Sequence, residues 1–484
     1  MQSHWTEREF ECAHFGDKRL NRRLIEVAVC LSETPESSIH QACLNWTDTK
    51  AAYRFFNNDS VHYQEILATH RKATLQRAKA FDTILAVQDT SYLNYSDHPK
   101  TTGLCPLSKH EGKHRRQNTT SGLVMHSTLA VTTQGLPIGL LEQKIYARKT
   151  LDEKEKNLKK SSQRNLLPIQ KKDSMRWVEA LEKTHASFAS HSTQVVTVCD
   201  REGDMYDLFL RAHNLNRPLL VRAKNRVVNK SSTCSKKSGE RLTNLFDRKK
   251  ASGNLEICLP KSKDRPARQA LCDVKVTRMT MTPPRNHAKP ADGKLPRLSL
   301  YAVRVVEKKP PSGSDPVDWL LVTSMKVETL EQALEKVKWY CLRWRIEVFH
   351  KILKSGLRVE ECRLADSARL IRYLALTSVI AWRIFWVTLT ARTAPEASCL
   401  LAFNELEWKV LFQAANPKKK IPQRPPSVRL CVRWLAQLGG FLARKHDNEP
   451  GITSIWRGMR KLADMLEGLK MAQALQTGTG GTYG

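Results

Sequence analysis

Hydrophobic and polar positions change period along the chain, and the changes mark out its organisation. Between about residues 66 and 392, short apolar runs alternate with helical spacing, which predicts a mixed α/β fold. Thr83-Ile-Leu-Ala-Val-Gln88 reads as an apolar strand ending in Asp89. Gly122 to Val131 and Ile138 to Ala147 read as two strands joined at Thr133-Gln-Gly-Leu-Pro137, a hairpin signal. Ser174 to Phe188 has helical periodicity, and Thr193 to Cys199 is a second buried strand ending in Asp200. A helix start follows at Gly203, then a third core strand from Arg217 to Lys224. Both aspartates are thus expected at strand ends, where open α/β sheets place their ligands. From about 225 to 328, alternating runs such as Leu255 to Leu259 and Leu298 to Val305 predict a β-rich insertion, and Trp319 opens its last strand.

The next segment carries a different pattern. Thr329-Leu-Glu-Gln332 is a capping box and Gly356 a natural stop, so one helix is predicted between them. Val337, Cys341, Trp344, Val348 and Ile352 recur at spacings of three and four, a core-facing stripe. At roughly 100° per residue, Tyr340, Arg343, Glu347 and Lys354 point to about 0°, −60°, −20° and −40°. One carboxylate therefore sits among two cations and a phenol. On this helix alone, a solvated charged face is an equally good reading.

The flanks are helical. Residues 1–65 are small and basic, with Arg19, Arg22 and Arg23 in one run and Tyr53 and Arg54 in another. Residues 393–484 hold a basic, Pro-rich linker from Asn416 to Pro426, then two amphipathic segments, Ser427 to Arg444 and Ser454 to Leu475. Tyr373 to Leu389 is nearly all apolar, but Arg383 within it would cost about 2.5–3.5 kcal/mol at a membrane centre, so a buried helix is expected and no membrane partner. The first residues show no apolar signal region.

Charge narrows the partners. The 484 residues carry 80 Lys and Arg against 48 Asp and Glu, a formal net charge of +32, the footprint of a nucleic-acid binder. Residues 211–300 hold 22 Lys and Arg against 6 Asp and Glu, half of that excess. A hydrophobic content of 41% supplies real cores and excludes a disordered basic tail. The 12 cysteines contain no CxxC pair; Cys105, His110 and His114 have only loose metal-like spacing, and free thiols in a reducing cytosol are expected.

Asp89, Asp200 and Glu347 then form a candidate cluster of three carboxylates. Two Mg²⁺ ions about 3.5–4 Å apart need such oxygen donors, and they activate a water or a 3′-hydroxyl while stabilising the leaving oxygen. A lone aspartate after a strand is commonly a turn or cap residue; two of them with the patterned helix carry more weight.

Tyr340-x2-Arg343-x3-Glu347-x6-Lys354 is similar to the Y-R-E-K signature of the insertion-sequence DDE transposases of the "IS four" group. AVQDTSYLNY around Asp89 and VTVCDREGDMY around Asp200 resemble that family's two aspartate motifs. GDKRLNRRL and AAYRF near the start, VRAK, RPAR and DWLLVTS in the middle, and Gln437-Leu-Gly-Gly-Phe441 near the end extend the resemblance over nearly the whole chain. It implies an RNase H-like catalytic domain at 66–392 with the basic insertion, a DNA-end-binding domain at 1–65 and a dimerisation domain at 393–484. It implies cut-and-paste transposition through nicking, hairpin formation, hairpin opening and strand transfer, with two Mg²⁺ at Asp89, Asp200 and Glu347 and Mn²⁺ as a substitute. The implied partners are double-stranded transposon ends, target DNA and a second protomer, in a bacterial cytoplasm.

The resemblance also assigns roles. Tyr340, Arg343 and Lys354 would contact phosphates, and Trp319 would stack on a flipped base. Arg222 and Lys224 would hold backbone, while Arg265, Arg268 and Arg363 would touch end DNA. Arg19, Arg22, Arg23, Tyr53 and Arg54 would belong to the end-reading surface, although Lys18-Arg19-Leu20 departs from the family's Arg-Arg pair. A metal-dependent nuclease and a catalytically silent DNA-binding relative of the same fold are the alternatives.

Overall fold

A computed structural model describes residues 4–43, 45–108, 120–148, 167–228, 240–259, 267–284, 287, 295–313 and 315–476. His110, His114 and Arg265 lie outside the described residues. The chain opens with α1 (Trp5–Phe10), α2 (Lys18–Glu33), α3 (Ile39–Ala42) and α4 (Trp46–Asn57). Each of the last three starts on a polar cap: Asp17 accepts from the Arg19 N–H, Ser38 and Gln41 form a capping box, and Asn45 accepts from the Asp48 N–H. Helix α5 (Tyr63–Ala78) spans the boundary expected at residue 65 and packs against the sheet, so the first unit and the catalytic unit share a helix.

Ten strands form one mixed sheet among the described residues. They are β1 (Thr83–Asn94), β2 (Cys105–Ser108), β3 (Thr120–Thr132), β4 (Pro137–Tyr146), β5 (Gln194–Cys199), β6 (Leu219–Arg222), β9 (Gly253–Leu259), β10 (Arg268–Met281), β11 (Leu298–Glu307) and β12 (Asp318–Thr323). The order is β2-β3-β1-β5-β6-β12-β11-β10-β9, with β4 paired to β3 as the expected hairpin. Two short strands, β7 (Val227–Val228) and β8 (Glu240–Arg241), pair apart from it. β1 runs parallel to β5, and β5 parallel to β6, while β3 is antiparallel to β1, the RNase H-like arrangement that was expected. Ile84 to Val87 are buried in succession because both faces of this central strand are covered. The basic insertion does not stand apart: β12 pairs with β6, so its strands extend the catalytic sheet.

Helices α6 (Met175–Ser187) and α7 (Tyr206–Asn214) cover one side, with α8 (Asn244–Asp247) beside β10. α9 (Leu330–Cys341) and α10 (Trp344–Lys351) follow β12, then α11 (Ser367–Thr393), α12 (Glu405–Ala415), α13 (Val428–Leu438) and α14 (Ile452–Gln476). Helix α11 is long and apolar enough to cross a membrane, yet it is buried as the central core helix, packed by β4, α5, α13 and α14. Its Arg383 donates to the Ala402 carbonyl at 2.6 Å and stacks 4.6 Å from the Trp386 ring. The helix ends at Thr393, at the start of the expected C-terminal unit.

A buried polar knot ties α1 to this core. Arg77 reaches both Glu9 carboxylate oxygens, at 2.9 and 3.1 Å, and the His70 Nδ1 lies 2.5 Å from Glu9 Oε1. The Leu140 N–H donates to His70 Nε2, which places the imidazole proton on Nδ1, facing Glu9. Burial opposes the Glu9 charge, but His70 and Arg77 outweigh it and pull the carboxyl down to about 2. Replacing Glu9 with Ala leaves Arg77 without its partner and is expected to cost about 3–5 kcal/mol. Urea melts of the two proteins check this, and a loss below about 1 kcal/mol removes the knot from the anchoring of α1.

Candidate active site

Register brings the two aspartates together. Thr83 to Val87 pair one for one with Gln194 to Val198, and the same register carried two residues further sets Asp89 level with Asp200. Neighbouring strands lie about 4.8 Å apart, so the two carboxyl groups leave the sheet side by side. Asp200 follows the end of β5, as expected, but β1 continues to Asn94, so Asp89 lies within a strand and not at its end. The second half of β1 is held by β3, with Asp89 opposite Ser127. Each carboxylate is fixed by a nearby backbone donor: the Thr90 N–H to Asp89 Oδ1 at 2.8 Å and the Glu202 N–H to Asp200 Oδ1 at 2.7 Å.

The third carboxylate arrives on a helix that is not continuous. The Thr329–Gln332 capping box forms, but the hydrogen bonds tighten after Tyr340: the Arg343 N–H donates to the Tyr340 carbonyl and the Ile346 N–H to the Arg343 carbonyl. These three-residue bonds advance the chain faster than an α-helix, so the stripe changes phase. Val337 and Ile352 are buried as expected, whereas Cys341 is exposed and Trp344 is 60% exposed. Ile346, Phe349 and Leu353 take the core positions instead. Beyond α10 the chain widens into a π-helical turn, Ile352–Gly356, which carries Lys354. Gly356 ends it beside α14, where a Cβ would meet the Trp456 ring at 2.8 Å.

Arg343 is the hub of the resulting site. It pairs with Glu347 one turn on and lies 3.8 Å from Asp89 Oδ2. Burial disfavours its charge, but Tyr340, Glu347 and Asp89 more than offset this and hold it firmly protonated. Burial pushes the Asp89 carboxyl up to about 7; Thr90 and Arg343 act against that, and Asp200 and Glu347 reinforce it. The His350 Nδ1 is 4.0 Å from Asp89 Oδ2, and burial, then Lys354 and Arg343, lowers this imidazole to about 3, so it is neutral. Tyr340, raised by burial, has Arg343 and Arg222 beside it acting against that rise, and it meets Trp319 edge-on at 5.9 Å.

Asp89, Asp200 and Glu347 are all oxygen donors of the kind a hard divalent cation takes, and Asp89 sits among like charges that a cation would neutralise. Among the described residues, however, no three His, Cys, Asp or Glu side chains are gathered tightly enough to hold a metal ion as they stand, since Glu347 is turned onto Arg343. Ligation by all three requires Glu347 to exchange that partner.

The remaining candidates divide by place. Lys354 donates to the Tyr92 carbonyl at 2.5 Å and lies 3.4 Å from Glu360, against the far end of β1. Half-buried Trp319 and Arg222 meet at Tyr340, while Lys224 is exposed and its N–H caps Asp204 at 2.7 Å. Arg268 does not join the cluster: its guanidinium forks onto Glu307 on β11. Exposed Arg363 and Tyr53 instead share a cleft of about 230 Å³ between α4 and the chain after the π-turn. On α2, Arg19 is exposed, Arg22 bonds Glu26 at 2.9 Å, and Arg23 reaches Glu26 and Asp48; Arg54 faces outward from α4.

Three family models match the chain. Residues 2–61 match transposase DNA-binding, residues 148–383 the transposase DDE domain, and residues 379–480 the transposase Tn5 dimerisation domain. The chain belongs to the Tn5-like DDE transposases. The transposase is therefore a DNA-processing enzyme that binds DNA, forms dimers and depends on a divalent metal. The DDE match begins beyond Asp89, so the first carboxylate enters the site through strand register alone.

Several residues around the acids carried no signal in the chain: His350, His126, Thr90, Glu202 and Arg176 all act through contacts between distant segments. For Asp89 the electrostatics have a measurable consequence. Between about pH 4 and 7 the folded chain keeps a proton on Asp89 that the unfolded chain has lost, so its stabilising contribution is lost as pH rises through about 7. Asp89→Asn is expected to be more stable than the parent at about pH 8, by up to about 4 kcal/mol, with the gain shrinking towards about pH 4. Melting curves at several pH values test this; a pH-independent difference rejects it.

Proposed function

We propose that this transposase performs cut-and-paste transposition with Asp89, Asp200 and Glu347 as its acidic triad. The observation that carries the reading is the strand register that sets Asp89 beside Asp200, with Asp89 and the helix-borne Glu347 both facing one half-buried guanidinium, Arg343. The divalent cations that the three carboxylates would hold, Mg²⁺ with Mn²⁺ as a substitute, supply Lewis-acid stabilisation of the attacking and leaving oxygens. Arg343 and Tyr340 hold the phosphate at the cleavage point, Lys354 orients the strand beside β1, and Arg222 and Lys224 hold backbone nearby. Trp319 receives the base turned out of the stack, which lets the strand bend into a hairpin. Water nicks one strand at each end, and the freed 3′-hydroxyl attacks the opposite strand; hairpin opening and strand transfer follow.

In this reading residues 1–65 read the transposon end through Arg19, Arg22, Arg23, Tyr53 and Arg54. Arg363, in the cleft it shares with Tyr53, extends that surface towards the active site, and Arg265 and Arg268 belong to the arm that touches the end DNA. Residues 393–484 join two protomers in the synapse. Incubation with a duplex bearing the element's own ends and Mg²⁺ tests the function. Hairpin-ended and strand-transferred products support it, nicks alone indicate a nuclease, and binding without cleavage a silent relative. Glu347→Ala should lower cleavage by at least ~10²–10³-fold while end binding persists, and a variant that still cuts rejects the triad. Trp319→Ala should nick normally but form hairpins about tenfold less well, the worth of one base stack. An unchanged hairpin yield overturns the base-flipping role.

A further inference from the structure

Arg176, near the start of α6, is 7% exposed and makes four hydrogen bonds that cross the site from behind. Its Nε donates to the Thr90 hydroxyl at 3.0 Å, one terminal nitrogen donates to the Glu202 carboxylate at 3.0 Å, and the other to the carbonyl and carboxylate of Asp173, both at 3.0 Å. Thr90 and Glu202 are the residues whose backbone N–H groups hold Asp89 and Asp200. One guanidinium therefore grips, through side chains, both segments that grip the aspartates through backbone. The Thr90 hydroxyl, having accepted from Arg176, has its own proton to give to the His126 Nδ1 at 2.9 Å. Burial, then Arg176 and His350, keeps that imidazole well below its ordinary value, hence neutral and able to accept. His126 is packed 4.6 Å from the Trp177 ring, so the chain of contacts ends in the core.

We propose that Arg176 is a positioning residue that sets the spacing of the Asp89 and Asp200 carboxylates for cation binding. A planar guanidinium with fixed donor directions suits this task, because it holds two partners at a defined angle where an ammonium would hold neither rigidly. Two carboxylates forced to one place repel, and without a brace the loop after β5 relaxes away from β1. The inference rests on the triad reading above, since spacing matters only if the two acids share ligands.

The test uses the full chain and Mn²⁺, with two readouts: free Mn²⁺ by electron paramagnetic resonance without DNA, and the Mn²⁺ dependence of cleavage on an end duplex. Arg176→Ala and Arg176→Lys should each weaken Mn²⁺ binding at least tenfold and raise the Mn²⁺ needed for half-maximal cleavage by a similar factor. End binding in a chelator should stay unchanged. Glu202→Ala, at a side chain 52% exposed, removes one arm without threatening the fold and should shift both readouts in the same direction. Normal Mn²⁺ binding by a folded Arg176→Lys protein and by Glu202→Ala overturns the brace while leaving the triad intact. An Asp89→Ala protein that still cuts overturns the triad itself and the brace with it.

Discussion

Parallel pairing of β1 with β5 is the constraint on which the site depends. Once Thr83 lies beside Gln194, the register leaves Asp89 and Asp200 no choice but to face each other across one strand spacing. That juxtaposition is unfavourable in itself: burial and the neighbouring carboxylates lift Asp89 to about 7. The fold answers with cations on two sides. Arg343 approaches from the helix after β12, and Arg176 from α6 behind the sheet. The long apolar α11 and the β3–β4 hairpin supply the packing that keeps these charged groups from relaxing apart.

Much of this was legible in the chain because strands and motifs are local. The hairpin, the strands before both aspartates, the capping box at Thr329 and the buried α11 all follow from short-range pattern. The break at Leu342 and Arg343 did not, because neither residue is a helix breaker. Both fit an α-helix well, and what sets the turn apart is a contact that local pattern does not carry, Arg343 beside Asp89. The consequence is large: Trp344 leaves the core stripe that its spacing predicts and faces outward, while Glu347 turns onto Arg343. The helix α5 runs across the boundary expected at residue 65, and no composition change marks such a shared helix.

Arg176 was illegible on different grounds. Its partners Thr90 and Glu202 lie 86 and 26 residues away, and in sequence it is one more basic residue in an amphipathic helix. Glu202 stands inside the motif around Asp200, yet nothing local separates a side chain that braces from one that is merely solvated. Residues acting through others leave no spacing rule, because their geometry exists only after the sheet has formed.

The charge of +32 also takes a different meaning in three dimensions. The basic groups nearest the acids are not free donors awaiting phosphate. Arg343 is engaged by Glu347, and Lys354 by the Tyr92 carbonyl and Glu360. Under the proposed function, phosphate binding at this site is therefore an exchange of partners, in which each cation gives up an internal acceptor. Such exchange costs less than baring a buried charge, because the guanidinium and ammonium groups remain paired throughout. In the proposed reading it also couples the steps: a phosphate that draws Arg343 away from Glu347 releases that carboxylate towards Asp89 and Asp200. Substrate and cation then favour the same rearrangement, and the triad closes most readily when both are present.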